Sequence, residues 1–492
     1  MVAASSEPVP KSSAPRASSA TNETRRLPPG PPPREGLVTT LRYYAGFALD
    51  PLGFVKKRFD AYGDTYYARY PGGGLFVFRH PDHIREVLST KASSFSKEHT
   101  AFAQLSRILG EGLLTSDGDT WTRQRRMIGP AFAPSRIAEY GAVMVEEALA
   151  TVRTWGEGGT RDINDDMTSL TLRVVSRALF GHDVRESDIR VVSRAMHAFQ
   201  RSLSSPDFLP AWVPVPSRRR LAEHAAALDA LMYRLIRERR EAIERGREPS
   251  GRKDLLEMLV TAVDTEVNDD RAARARLTVE EVRDQLVTLF LAGHETTAHA
   301  LSWTFYCLAQ HPEVEQGLHR ELDEVLEGRA PTVADLERLP MTEQIVSEAL
   351  RMYPPVYGIA RRANEDVTIG EWTVPRGSEV MVWVYFTHHD PRFYPEPAAF
   401  RPERFAPQAA AALPKMAWLP FGGGPRACIG KSFAMMEARL LLATLAQRHR
   451  LVIAPGQKVV LAPRITLTPK RGMKMIVRAR RPDPTPARRS PG

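Results

Sequence analysis

Phe421-Gly422-Gly423-Gly424-Pro425-Arg426-Ala427-Cys428-Ile429-Gly430 decides how this chain of 492 residues is read. It holds one of only two cysteines, the other being Cys307. A lone cysteine is most often a small buried residue. Here a glycine run precedes it and a cation stands two places before it. A thiolate that takes a metal needs a loop that presents its sulfur while nearby amides stabilise the charge, and glycines permit the tight turns. Arg426 supplies the cation and Phe421 an apolar cover over the sulfur. Five such positions coincide by chance on the order of once in ten thousand chains of this length.

Working outward, the next signal is Ala292-Gly293-His294-Glu295-Thr296-Thr297. Thr278-Val279-Glu280-Glu281 reads as a capping box, and no proline follows until Pro312, so a single helix of about thirty residues is expected. Its apolar sequence places it in the centre of the protein. Glycine and successive threonines weaken a helix interior. A hydroxyl competing for a main-chain carbonyl would open a local groove, with an acid and an alcohol beside it. Further helices are expected over 342–352, 137–155, 221–243 and 433–447. A hairpin is expected from 65–69 and 75–78, and a β-rich patch over 367–384. With strands from both ends of the chain, the fold class is mainly α with small β-sheets (α+β), and 27–480 forms a single domain. Residues 1–26, rich in Ser, Ala and Pro, and residues 481–492 are expected to be disordered tails.

Bulk properties narrow the setting. Two cysteines exclude a disulfide framework and point to a reducing, cytoplasmic location. No stretch approaches the ~18 apolar residues of a spanning helix, and no signal peptide opens the chain, so no membrane anchor is expected. The net charge of +10 is compatible with an acidic partner or a solvated surface. No basic–aromatic interleaving accompanies it, so no nucleic-acid role is expected.

Two weaker patterns gain meaning from their order. Glu348-Ala-Leu-Arg351 sets opposite charges three apart on one helical face, ahead of Phe400-Arg401-Pro402-Glu403-Arg404-Phe405. Trp121-Thr-Arg-Gln-Arg125 sets an indole and a guanidinium one turn apart. With Cys428 and the 292–297 segment, these resemble the ordered landmarks of the cytochrome P-450 family, over roughly 27–475. The cysteine loop matches that family's Phe-x-x-Gly-x-Arg-x-Cys-x-Gly at every fixed position.

The resemblance implies a cytochrome P-450 fold, its long central helix lying over a buried haem b (iron protoporphyrin IX). Cys428 would be the axial metal ligand, and Gly430 would let the next helix approach the macrocycle. Arg426, Trp121, Arg125 and Arg361 (beside Arg362) would bind the cofactor, the last three at its propionates. Glu295 and Thr296 would be the catalytic acid and alcohol. Glu348, Arg351 and Arg404 would form a structural triad. Leu114, Ala292, Val356 and Leu467 would line an apolar pocket for a lipophilic substrate such as a fatty acid, terpenoid or steroid. The implied activity is monooxygenation with O2. Electrons would come from a separate ferredoxin or flavodoxin with its NAD(P)H reductase, docking on a monomer near Arg123, Arg126, Lys431 and Lys415. The alternatives are a haem-thiolate isomerase or peroxygenase, and a non-catalytic haem sensor.

Overall fold

Thr278 starts the helix that organises the molecule. Its hydroxyl accepts the Glu281 amide at 3.1 Å while Glu281 accepts the Thr278 amide at 2.9 Å, so two of the free donors at the helix start are satisfied. The helix then runs Val279–Gln310, 32 residues, and stops before Pro312. Leu286, Val287, Phe290, Ala298, Leu301 and Trp303 are all buried along it. Burial of each large side chain stabilises the fold by roughly 1.5–3 kcal/mol. Around this rod pack the helices Ile163–Phe180, Pro216–Glu244, Pro340–Met352 and Lys431–Ala446. Cys307 is buried within the rod, and burial pushes its thiol pKa far above the ordinary value.

The computed structural model describes residues 26–33, 36–70, 73–98, 105–106, 109–181, 184–204, 215–246, 254–264 and 276–480. The expected tails and the Pro71-Gly72 turn lie outside the described residues, except Arg26. The hairpin forms as Thr65–Tyr70 against Gly73–Phe78, with Thr65 opposite Phe78. Gly73–Phe78 then runs parallel to Glu379–Val382, about 300 residues away, with Phe76 opposite Val380. Glu379–Val382 pairs antiparallel with Ile359–Ala363, which pairs with Phe95–Ser96. Strands from the two ends of the chain therefore interleave in one five-stranded sheet.

Two element boundaries differ from expectation. The helix expected over 137–155 is two, Pro134–Glu139 and Gly141–Val152. They part at Tyr140, and at Gly141, which opens the second helix, an added Cβ would stand 2.2 Å from Val333. The 367–384 patch ends early, because Val384 begins the short helix Val384–His388. Among the described residues, no helix is long and apolar enough to cross a membrane.

Candidate active site

The loop before Cys428 is shaped by one close approach. Gly424 has φ +68°, and a Cβ there would lie 1.8 Å from the Leu88 carbonyl oxygen. Only glycine fits. The Cys428 amide donates to the Phe421 carbonyl at 2.9 Å and closes the loop, and the Phe421 ring packs edge-on to Trp418. Cys428 is accessible to solvent, yet it lies deep enough that burial raises its thiol pKa. The two facts agree if the sulfur stands at the floor of a hollow. The Gly430 amide, Arg125 and Lys431 oppose that rise and favour a thiolate. A Cβ at Gly430 would meet only Phe132 at 3.8 Å and the Cys428 sulfur at 3.9 Å, ordinary contacts. The protein itself does not demand glycine there, which leaves space beside the sulfur for a bound group.

Near Cys428 the chain gathers positive charge. The Arg426 guanidinium lies 4.3 Å over the Trp121 ring, pairs with Asp117 and donates to the Ser116 carbonyl at 3.2 Å. Burial lowers its pKa to about 10. Arg361 is buried and likewise lowered to about 10, whereas neighbouring Arg362 is exposed. Arg125 is lowered by burial and drawn back up by Cys428.

A fourth cation escaped the sequence reading. Lys97 is buried, with its ammonium donating to the Leu113 and Leu114 carbonyls at 3.2 and 2.8 Å. Burial, then Arg426, Arg361 and Arg125, push its pKa well below the ordinary value. No local motif marks it. It follows the Ser96–Arg362 strand pair, so only the sheet register brings it beside Arg361. So much positive charge in a desolvated place suits a dianionic ligand, as the two propionates of haem would be.

On the central helix Ala292 is exposed although the rod is otherwise largely buried, so it borders interior space. Thr296, one turn on, donates to the Ala292 carbonyl at 2.7 Å, and Thr297 donates to Gly293 at 3.0 Å. These are the competing hydroxyls expected, although the helix runs on unbroken. Glu295 is buried and accepts the Thr466 hydroxyl at 2.8 Å. Of the expected pocket residues, Leu114 is half-buried and Val356 is 40% exposed. Leu467 corrects the expectation. Its side chain is wholly buried and its carbonyl accepts the Trp303 indole at 2.9 Å, so it is core and lines no open space.

Glu348 and Arg351 meet with no exposure at all, in a bidentate pair at 2.7 and 2.8 Å. Arg351 also donates to the His388 carbonyl at 2.8 Å, and Arg404 stands 3.4 Å from Glu348. The docking patch is altered: Arg123 pairs with Glu281, and Arg126 with Asp264 at 2.7 Å.

Known proteins resemble this chain over most of its length. The cytochrome P-450 family profile matches residues 28–476. Cyclooctatin synthase of Streptomyces melanosporofaciens is 36% identical over 432 residues, 86% of this chain and 91% of that protein. Pentalenene oxygenase of Streptomyces avermitilis is 32% identical over 435 residues, covering 88% and 94%. The crystal structure of the cytochrome P-450DA heme domain superposes with a TM-score of 0.80 at 29% identity, covering 93% of this chain and 99% of that one. Since the family profile spans nearly the whole folded chain and these relatives and this fold match it along most of its length, the chain belongs to the cytochrome P-450 family and is a haem-thiolate monooxygenase.

Proposed function

We propose that this monooxygenase inserts one atom of O2 into a lipophilic terpenoid, with haem b as cofactor and a separate ferredoxin or flavodoxin as electron donor. The observation that carries the reading is Cys428, solvent-accessible yet deep enough that burial raises its thiol pKa, with Lys97, Arg125, Arg361 and Arg426 gathered nearby. When bound, the haem supplies the reductive activation of O2 and the oxygen-transfer chemistry. The remaining work belongs to the chain. Cys428 provides the anionic sulfur, held by the Gly430 amide and the Arg125 charge. Lys97, Arg125, Arg361 and Arg426 would hold the propionates and neutralise their charge. Thr296, bonded to Ala292 in the resting helix, offers a hydroxyl on the face toward the interior space, and Glu295 serves as the titratable acid of the proton path.

The terpenoid class rests on the terpenoid-modifying relatives named for cyclooctatin and pentalenene, and on apolar Ala292, Leu114 and Val356. With Arg123 and Arg126 engaged in ion pairs, Lys415 and Lys431 carry the docking proposal. Two cysteines without a disulfide fit a cytoplasmic enzyme.

The decisive experiment is the absorption spectrum of the reduced carbon monoxide complex. A strongly red-shifted Soret band is expected, lost in Cys428→Ser and retained in Cys307→Ser. A Cys428→Ser protein that keeps the band would remove the thiolate from the mechanism.

A further inference from the structure

Glu295 and His299 lie one turn apart on the central helix, about 60° around it from the Ala292–Thr296 face. Thr466, between the strands Leu461–Pro463 and Leu467–Pro469, reaches both of them. Its hydroxyl donates to Glu295 Oε1 at 2.8 Å and lies 3.1 Å from His299 Nδ1. A threonine hydroxyl has one proton, and an ionised carboxylate can only accept. His299 must therefore donate to Thr466 through Nδ1–H, which leaves its lone pair on Nε2. All three residues are buried.

Glu295 and His299 also form part of the wall of a polar cavity of about 750 Å³. Asp165, Arg190, His197, Arg464 and Arg471 contribute to its lining, so water is well supplied with partners there. Burial, then repulsion from Asp162, raises the Asp165 carboxyl pKa and favours its protonated form. Burial, with His294 and Arg464 and against the pull of Glu295, brings the His299 imidazole to about 4. It is thus a neutral, fixed donor at working pH.

We propose that this chamber is the proton intake of the site, and that Thr466 and His299 are positioning residues that hold the Glu295 carboxylate at its inner wall. The proposal rests on the reading of Glu295 as the acid of the proton path. Monooxygenation consumes the substrate, O2, two electrons and two protons, and yields hydroxylated product and water. For each proton, Glu295 takes H⁺ from chamber water, becomes the neutral acid, and returns to carboxylate as it passes H⁺ toward the Thr296 side. Solvent then restores the chamber water. Thr466 and His299 exchange no proton in this scheme, and their hydrogen bonds set where the carboxylate waits.

The test combines a spectroscopic and a kinetic measurement on the holoenzyme. With ¹⁵N-histidine labelling of the reduced carbon monoxide form, His299 (assigned by its loss in His299→Gln) should be the neutral Nδ1–H tautomer at pH 7. Thr466→Ser should keep that signature and Thr466→Val should lose it. Thr466→Val should also slow oxygen-dependent turnover about tenfold, with a larger solvent deuterium isotope effect and unchanged substrate affinity by spin-state titration, while Thr466→Ser restores the rate. An Nε2–H His299 in the parent protein overturns the proposal even if Thr466→Val folds poorly. Wild-type rate and isotope effect in Thr466→Val overturn it as well. If Glu295→Gln slows turnover while Thr466→Val does not, the intake fails and the role of Glu295 stands; if Glu295→Gln is itself silent, the underlying reading has failed.

Discussion

Glu348 and Arg351 show what a charged pair does when neither member touches water. Each ion forfeits its hydration, and the cost is offset only because the pair is bidentate and its outer hydrogen bonds are filled. Arg351 gives one to the His388 carbonyl, and Glu348 accepts the Arg401 amide at 3.0 Å. Glu348→Gln would leave a guanidinium buried without its counter-charge. We expect a loss of about 3–5 kcal/mol in urea unfolding, with the carbon monoxide spectrum of the surviving folded protein unchanged. An unfolding midpoint equal to wild type would mean that Arg404 and the backbone carbonyls suffice. The pair was legible in the sequence only because a family pattern gave meaning to a spacing that Glu244–Arg247 and Glu280–Arg283 share. Lys97 was not legible at all, since its chemistry comes from a strand register that joins residues more than 260 positions apart.

Among elements, the cysteine loop depends on a segment far away in the chain. Gly424 touches the backbone of Leu88 and Ser89, in the single π-helical turn Glu86–Thr90. Gly424→Ala adds a Cβ against a backbone oxygen at positive φ, and neither side can yield cheaply. At Gly423 the added Cβ would meet the Met416 side chain, 2.6 Å from its sulfur, which a flexible thioether can vacate. We therefore expect Gly424→Ala to lower the haem-to-protein ratio after desalting severalfold, and Gly423→Ala to keep it near wild type. Equal retention in both would mean that the loop moves freely against the Leu88 segment. The capping box, the proline stop and the apolar run made the central helix readable, because local rules act within one turn. The close approach of Val333 to Gly141 and the burial of Leu467 were not readable, because Val333 and Trp303 lie far off in the chain and only packing brings them there.

For the molecule as a whole, the buried histidines set the response to acid. His294, His299 and His389 are each brought to about 4, chiefly by burial, and fully buried His388 is brought well below its ordinary value. In the unfolded chain each would titrate near 6.5. As pH falls from about 6.5 toward 4, the unfolded state gains protons that the folded state refuses, so stability must fall. Each group contributes up to about 1.4 kcal/mol per pH unit within that window. Glu437 works the other way. It is fully buried, and burial raises its pKa well above the ordinary value, so the folded state keeps a proton that the unfolded state releases as pH rises. Asp165 and Glu315 are raised by burial in the same sense, but the four buried histidines outweigh these carboxyls, and the net effect is destabilisation by acid. Urea unfolding of the holoenzyme, followed by the Soret band, should therefore show a lower midpoint at pH 5.5 than at pH 7. Glu437→Gln, which removes one opposing group, should steepen the decline. A midpoint independent of pH across this range would mean that the histidines take up protons in the folded state, which their burial forbids.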